Sequence, residues 1–71
     1  MSDDLDARLL AAHERDDRHA LVGLYSEAAD AADDLDSACF YLTHAYIFAL
    51  DTGVPEAAAL HARLKAHGRE E

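Results

Sequence analysis

The sequence predicts an all-α fold, a small antiparallel bundle of about four helices. Three observations predict it. Ala, Leu, Glu, Asp and Arg dominate the composition. Val and Ile are scarce, and no alternating apolar–polar run of the kind a strand needs appears. Apolar residues recur every three or four positions in four segments, the spacing of one helix face.

The third segment organises the rest. Residues 35–53 are apolar almost all the way round. At ~100° per residue, Leu35, Cys39, Leu42, Tyr46 and Leu50 share one flank. Ala38, Ala45 and Ala49 form a neighbouring stripe of small side chains. Phe40 and Ile47 lie on one far side, Tyr41 and Phe48 on the other. Ser37, His44 and Asp51 make a narrow polar wedge. A helix apolar on nearly every side is expected to be covered by neighbours or by another chain.

The first helix is expected from about Asp3 to about Arg15, capped by Ser2 or Asp3. Asp4 and Asp6 suit its positive end. Leu5, Leu9 and Ala12, widened by Leu10, give only a thin apolar stripe, and Asp4 pairs with Arg8 at i,i+4. Asp16 and Asp17 break the pattern and supply an N-cap for a second helix, about Arg18 to Asp33. Its apolar face is Leu21, Leu24, Tyr25, Ala28, Ala31 and Ala32, with Val22 and Ala29 at the edge. Gly23 falls on the polar face, where it reads either as a tolerated helix glycine or as the mark of another backbone's close approach. The acidic run at 33–36 turns the chain, with Asp34 or Asp36 capping the third helix. Gly53 ends that helix as a left-handed residue, and Pro55 opens the fourth. The fourth helix runs to about His67 with Ala57, Leu60 and Leu64 inward and His61 on the border. The whole chain is one domain, residues 1–71, with frayed ends at about 1–3 and 68–71.

Seventy-one residues support a modest core, so a partner subunit, metal or disulfides would help. Cys39 is the only cysteine, which rules out an internal disulfide, and it reads as a small core residue. A lone thiol and an acidic N-terminus without a signal-peptide pattern lead us to expect a cytoplasmic protein. The longest stretch without a formal charge, Ser37 to Leu50, is fourteen residues, short of the ~20 that span a bilayer. The net charge is −9, and no Lys or Arg lies between Arg18 and Arg63. Such a surface repels phosphate, so nucleic acid is not expected as a partner. It suits a basic protein, or simply solubility.

Residues 20–52 resemble one tetratricopeptide-type helical hairpin. Asp34-Leu35-Asp36-Ser37-Ala38 matches the turn and first Ala of that pattern, Leu42 the bulky residue and Ala45 the second Ala. Val22 stands where the family has an aromatic residue, and Asp33 where it has Gly. The resemblance implies an interaction module, with residues 54–67 as a solvating end helix and no catalytic residues to carry over. A single repeat makes no long concave groove.

No phosphate-binding, zinc or nucleophile motif is present, and Asp33, Asp34 and Asp36 do not match a calcium loop. We therefore expect no enzyme, no cofactor and no metal. His13 and Asp17 are four apart and share a face only if the first helix continues through Asp16. His61 and His67 share a face poorly. His44 is either a group that titrates near pH 6.5 at an interface or a border histidine facing water. Tyr25, Tyr41 and Tyr46 at helical spacing read as core rather than as a pocket.

The expected function is a non-catalytic protein–protein interaction or assembly module that self-associates. Phe40, Tyr41, His44, Ile47 and Phe48 are its candidate interaction residues, and a homodimer is the expected state. The competing arrangement is a monomer whose first helix folds over the same side. Alternative functions are an acidic regulator covering a basic surface, and a metal- or small-molecule-binding accessory subunit.

Overall fold

Alternating apolar stripes fold the described residues into four antiparallel helices, α1 (Ser2–Glu14), α2 (Arg18–Ala31), α3 (Leu35–Thr52) and α4 (Glu56–Ala66), with acidic caps on α2 and α3. The structure is a computed structural model that describes residues 2–68, with the side chains of Ser2 and Asp3 left aside. The expected caps at Ser2 or Asp3, and the fraying expected at either end, lie largely outside the described residues.

Each connection follows from local chemistry. The peptide of Asp16 sits in the left-handed region, φ 54°. Its N–H reaches the His13 carbonyl at 3.1 Å, and that of Asp17 reaches Ala12 at 2.9 Å. These two bonds satisfy the last carbonyls of α1 in a Schellman turn. Asp17 then caps α2 by accepting from the Ala20 N–H. Ala32 is extended, so α2 stops two residues sooner than its acidic tail suggested. Asp34 caps α3 through the Ser37 N–H at 2.7 Å. Gly53, φ 73°, ends α3 with the same pair of bonds, to Leu50 and, from the next residue Val54, to Ala49. Pro55 precedes α4 without a side-chain cap.

The helices pack in chain order: α2 on α3 most extensively, α4 on α3, and α1 on α2. The Cα atoms span 32 × 29 × 12 Å, a shallow slab. Val22, Ala29, Cys39, Leu42, Ala45, Ala49, Leu60 and Leu64 form the core, flanked by half-buried Tyr25, Tyr41, Tyr46, Phe48, Val54 and Ala57. Cys39 is a buried free thiol. Ion pairs staple the seams: Arg8 to Glu27, Arg18 to Asp51, Arg63 to Asp30. The i,i+4 pair of Asp4 and Arg8 forms as well.

Two expectations about burial are corrected. Leu35 and Leu50, grouped on one flank of α3 with Cys39 and Leu42, are 48% and 57% exposed, whereas Cys39 and Leu42 are buried. The line actually buried runs through Leu42, Ala45 and Ala49. It is turned toward the small-residue stripe, because α2 comes closest where side chains are short. Leu50 sits ~100° from Ala49 and is carried out to the free side. On α2, Val22 and Ala29 are buried and Ala31 is exposed, whereas Leu24 is half-buried. The helix has to serve two neighbours, so its apolar arc is centred between α1 and α3 rather than on one face. Gly23 has nothing within 4 Å of where a Cβ would stand.

Candidate protein-interaction surface

The five expected interaction residues all lie on α3, and the structure divides them into two groups. Phe40 and Ile47 point outward, 58% and 55% exposed, and Leu50 joins them at 57%. Spacings of seven and three place these three side chains on one stripe. Tyr41, His44 and Phe48 turn instead toward α2 and are half-buried.

Tyr25 of α2 is the hub of that second group. Its ring stacks on Phe48 (centroids 5.9 Å, interplanar angle 11°) and on Tyr41 (6.2 Å), and lies 5.1 Å from the His44 ring. His13 of α1 meets Tyr25 edge-on at 5.8 Å and Phe48 at 6.0 Å. The Tyr25 hydroxyl and His13 Nε2 are 2.8 Å apart and share a hydrogen bond. Burial, with Tyr41 nearby as a smaller cause, pushes the Tyr25 phenol above its ordinary pKa. Tyr25 therefore stays protonated near neutral pH and serves as a hydrogen-bond partner rather than as a base.

His44 links the two groups. Its Nδ1–H donates to the Phe40 carbonyl at 2.9 Å, and its ring lies 4.5 Å from the Phe40 ring. Since a carbonyl only accepts, that bond places a proton on Nδ1. Phe40 also meets Tyr41 edge-on at 5.5 Å. The exposed phenyl is thus held by two ring neighbours on its own helix. An open depression beside it is lined by Asp36, Cys39, Phe40, Thr43 and His44. At the far end of the stripe, Asp51 is engaged by Arg18 at 2.6 Å.

The remaining candidates separate. His13 and Asp17, the possible metal pair, take different partners: His13 bonds Tyr25, and Asp17 caps α2 and meets Arg15 at 3.3 Å. His61 stacks on Tyr46 at 5.5 Å and joins α4 to α3. Among the described residues, no group of three His, Cys, Asp or Glu is placed to hold a metal ion. No described helix is long and apolar enough to cross a membrane. No family model, curated protein or solved structure matches the chain.

Sequence reasoning missed Leu50 as a surface residue and Tyr25 as the hub. The signal for Leu50 was its place beside Ile47 and Asp51, on the border rather than in the middle of the flank. Nothing local marks Tyr25, because its role depends on which three helices converge there.

Proposed function

We propose that this protein is a small, acidic, non-catalytic protein–protein interaction or assembly module that self-associates through the outward face of α3. One observation carries the reading: Phe40, Ile47 and Leu50, three large apolar side chains, are each more than half exposed along one stripe. Scattered apolar residues on a surface are ordinary, whereas a contiguous patch signals a binding site. Asp36 and Asp51 stand on the same side of α3 near either end of the stripe, and the residues between them carry no formal charge. A second copy supplies the same patch, and a two-fold arrangement satisfies both at once. A chain of this size gains proportionately from the extra burial. The half-buried rings of Tyr41, His44 and Phe48 form the inner border of this interface. α1 reaches only their far edge through His13, so it leaves the Phe40–Ile47–Leu50 stripe uncovered.

The tetratricopeptide-like pattern of α2 and α3 supports the same reading, since such hairpins act by presenting surfaces to other proteins. The lone buried thiol suits a reducing compartment, and we assign the protein to the cytoplasm.

Molar mass by light scattering across a dilution series tests the proposal. A mass that rises toward twice the monomer at micromolar concentration is expected. Because each copy carries −9, added salt should strengthen the association by screening repulsion. Ile47→Glu should return the mass to that of a monomer without loss of helicity. A monomer at high micromolar concentration in both low and high salt overturns self-association.

A further inference from the structure

A second surface lies on the other border of α3. α1 and α3 both flank α2 but do not approach one another closely along their backbones. Beside the C-terminal end of α1 the crevice between them is occupied by the rings of His13, Tyr25 and Phe48. One turn further along α2 the filling stops, because the side chains there are Ala28, Ala31 and Ala32. What remains is an open hollow of about 310 Å³ with those alanines as its floor. Leu5 and Leu9 of α1 wall it on one side, Tyr41 and Ser37 of α3 on the other, and Asp6, Asp33 and Asp34 form the rim.

The formal charge around this hollow is of one sign. All four arginines among the described residues are engaged elsewhere: Arg8 with Asp4 and Glu27, Arg15 with Asp17, Arg18 with Asp16 and Asp51, Arg63 with Asp30. None of the ten residues that line the hollow is basic. Asp34 accepts a bond from the Ser37 N–H. Asp6 and Asp33 have no ion-pair partner among the described residues. The alanines, leucines and Tyr41 of the lining offer a seat for one apolar side chain, under a rim that leaves the accessible lining more polar than apolar overall. A rim of carboxylates takes the cations beside it, and repels phosphate-bearing surfaces.

We infer that the hollow between α1 and α3 docks a cationic amphipathic helix of a partner protein, seating one large apolar side chain on the alanine floor with Lys or Arg one turn to either side against Asp6 and Asp33. A helix fits because residues three and four apart share a face, which places the apolar anchor and its flanking cations together. Self-association uses the outward stripe of α3 instead, and the two surfaces meet at Tyr41, which borders both.

The probe is a labelled synthetic helix with a leucine face flanked by lysines, followed by fluorescence anisotropy. Two control peptides replace its lysines by glutamate or its leucines by serine. Binding to the parent peptide alone is expected, weakening at least about tenfold between roughly 0.05 and 0.5 M salt. Ala31→Leu, which fills the hollow from an exposed helical position, should weaken binding about tenfold with an unchanged melting curve. The pair Asp6→Asn and Asp33→Asn should do the same. The pair Glu14→Gln and Glu56→Gln removes equal charge away from the hollow and should leave most of the affinity intact. Ile47→Glu should still bind the peptide, whatever its oligomeric state. Equal losses from the two charge-removing pairs, or no effect of Ala31→Leu, overturn the inference in favour of non-specific attraction to an acidic surface. Equal binding of the serine peptide overturns the role of the apolar floor.

Discussion

The two sides of α3 are built from opposite kinds of residue. Its inner side is Cys39, Leu42, Ala45 and Ala49, three of the four small. Its outer side is Phe40, Ile47 and Leu50, all large and all more than half exposed. Hydrophobicity alone would have put the larger set inside. The difference shows that closeness of approach decided which side went in. Buried alanine at 45 and 49 leaves room for neighbouring helices to pack close to the α3 backbone, and close packing offsets the smaller area each alanine buries. The large residues are then left for a surface, where contiguous apolar area is costly without a use.

Leu42→Ala should break the inner side most severely. Leu42 is fully buried, and the cavity it leaves costs ~2–5 kcal/mol. That is a large share of the stability of so small a domain. Urea unfolding followed by circular dichroism measures it. If Leu42→Ala is tolerated without loss, the inner side is not the core. Ala45→Leu attacks the same side by overpacking and should cost ~1–3 kcal/mol. Unchanged stability of that variant would mean that α2 does not rest on the alanine stripe.

The outer side should respond differently to the same kind of truncation. Ile47→Ala in the dilute monomer should stay within ~0.5 kcal/mol of the parent. At concentrations where the chain associates, its melting temperature should fall below the parent's, since only the associated form uses the side chain. Equal effects at both concentrations would place Ile47 in the monomer's own core and erase the contrast.

Acid sharpens a smaller difference, between capped and uncapped helices. The Asp17 and Asp34 carboxylates are held below their ordinary pKa, first by the backbone N–H groups of Ala20 and Ser37 respectively. Arg15 assists Asp17, and a side-chain bond from Ser37 assists Asp34. A depressed folded-state value means the stabilisation is complete above the unfolded value of about 4 and disappears as pH falls through the folded value. Melting temperature should therefore drop below pH ~4. Asn at both positions keeps a neutral cap and should flatten that part of the decline. An identical acid limb in the double variant would remove the caps from the explanation. The mildest expected change is a gain. Gly23→Ala, at an exposed helical site open to a Cβ, should raise stability by ~0.5–1 kcal/mol. A loss there would show that something does approach α2 on its polar face.

How much of this was legible can be traced residue by residue. Asp17 and Asp34 were readable as caps because a carboxylate ahead of an apolar helical run satisfies amides that the helix cannot. Gly53 was readable as a left-handed terminus for a similarly local reason. The Asp16 turn was harder, since aspartate enters that region less often than glycine, and only its neighbours' hydrogen bonds reveal it. On the candidate surface, Phe40 and Ile47 were legible as belonging far from Leu42. Leu50 was not, because a shift of a few tens of degrees in the buried direction moves a border residue from inside to outside.

The sequence by itself determined the four helices, their ends to within a residue or two, the acidic character of the chain and the presence of one helix with more apolar surface than its neighbours could cover. These depend on spacing, capping and charge within a few residues, where the interacting groups are covalently close. Tertiary structure alone decided that Tyr25 gathers His13, Tyr41, His44 and Phe48, that Leu50 joins the outer stripe, and that a hollow opens over Ala28, Ala31 and Ala32. Each of these depends on the angle and distance between helices, which are set by the sum of many weak contacts across the chain.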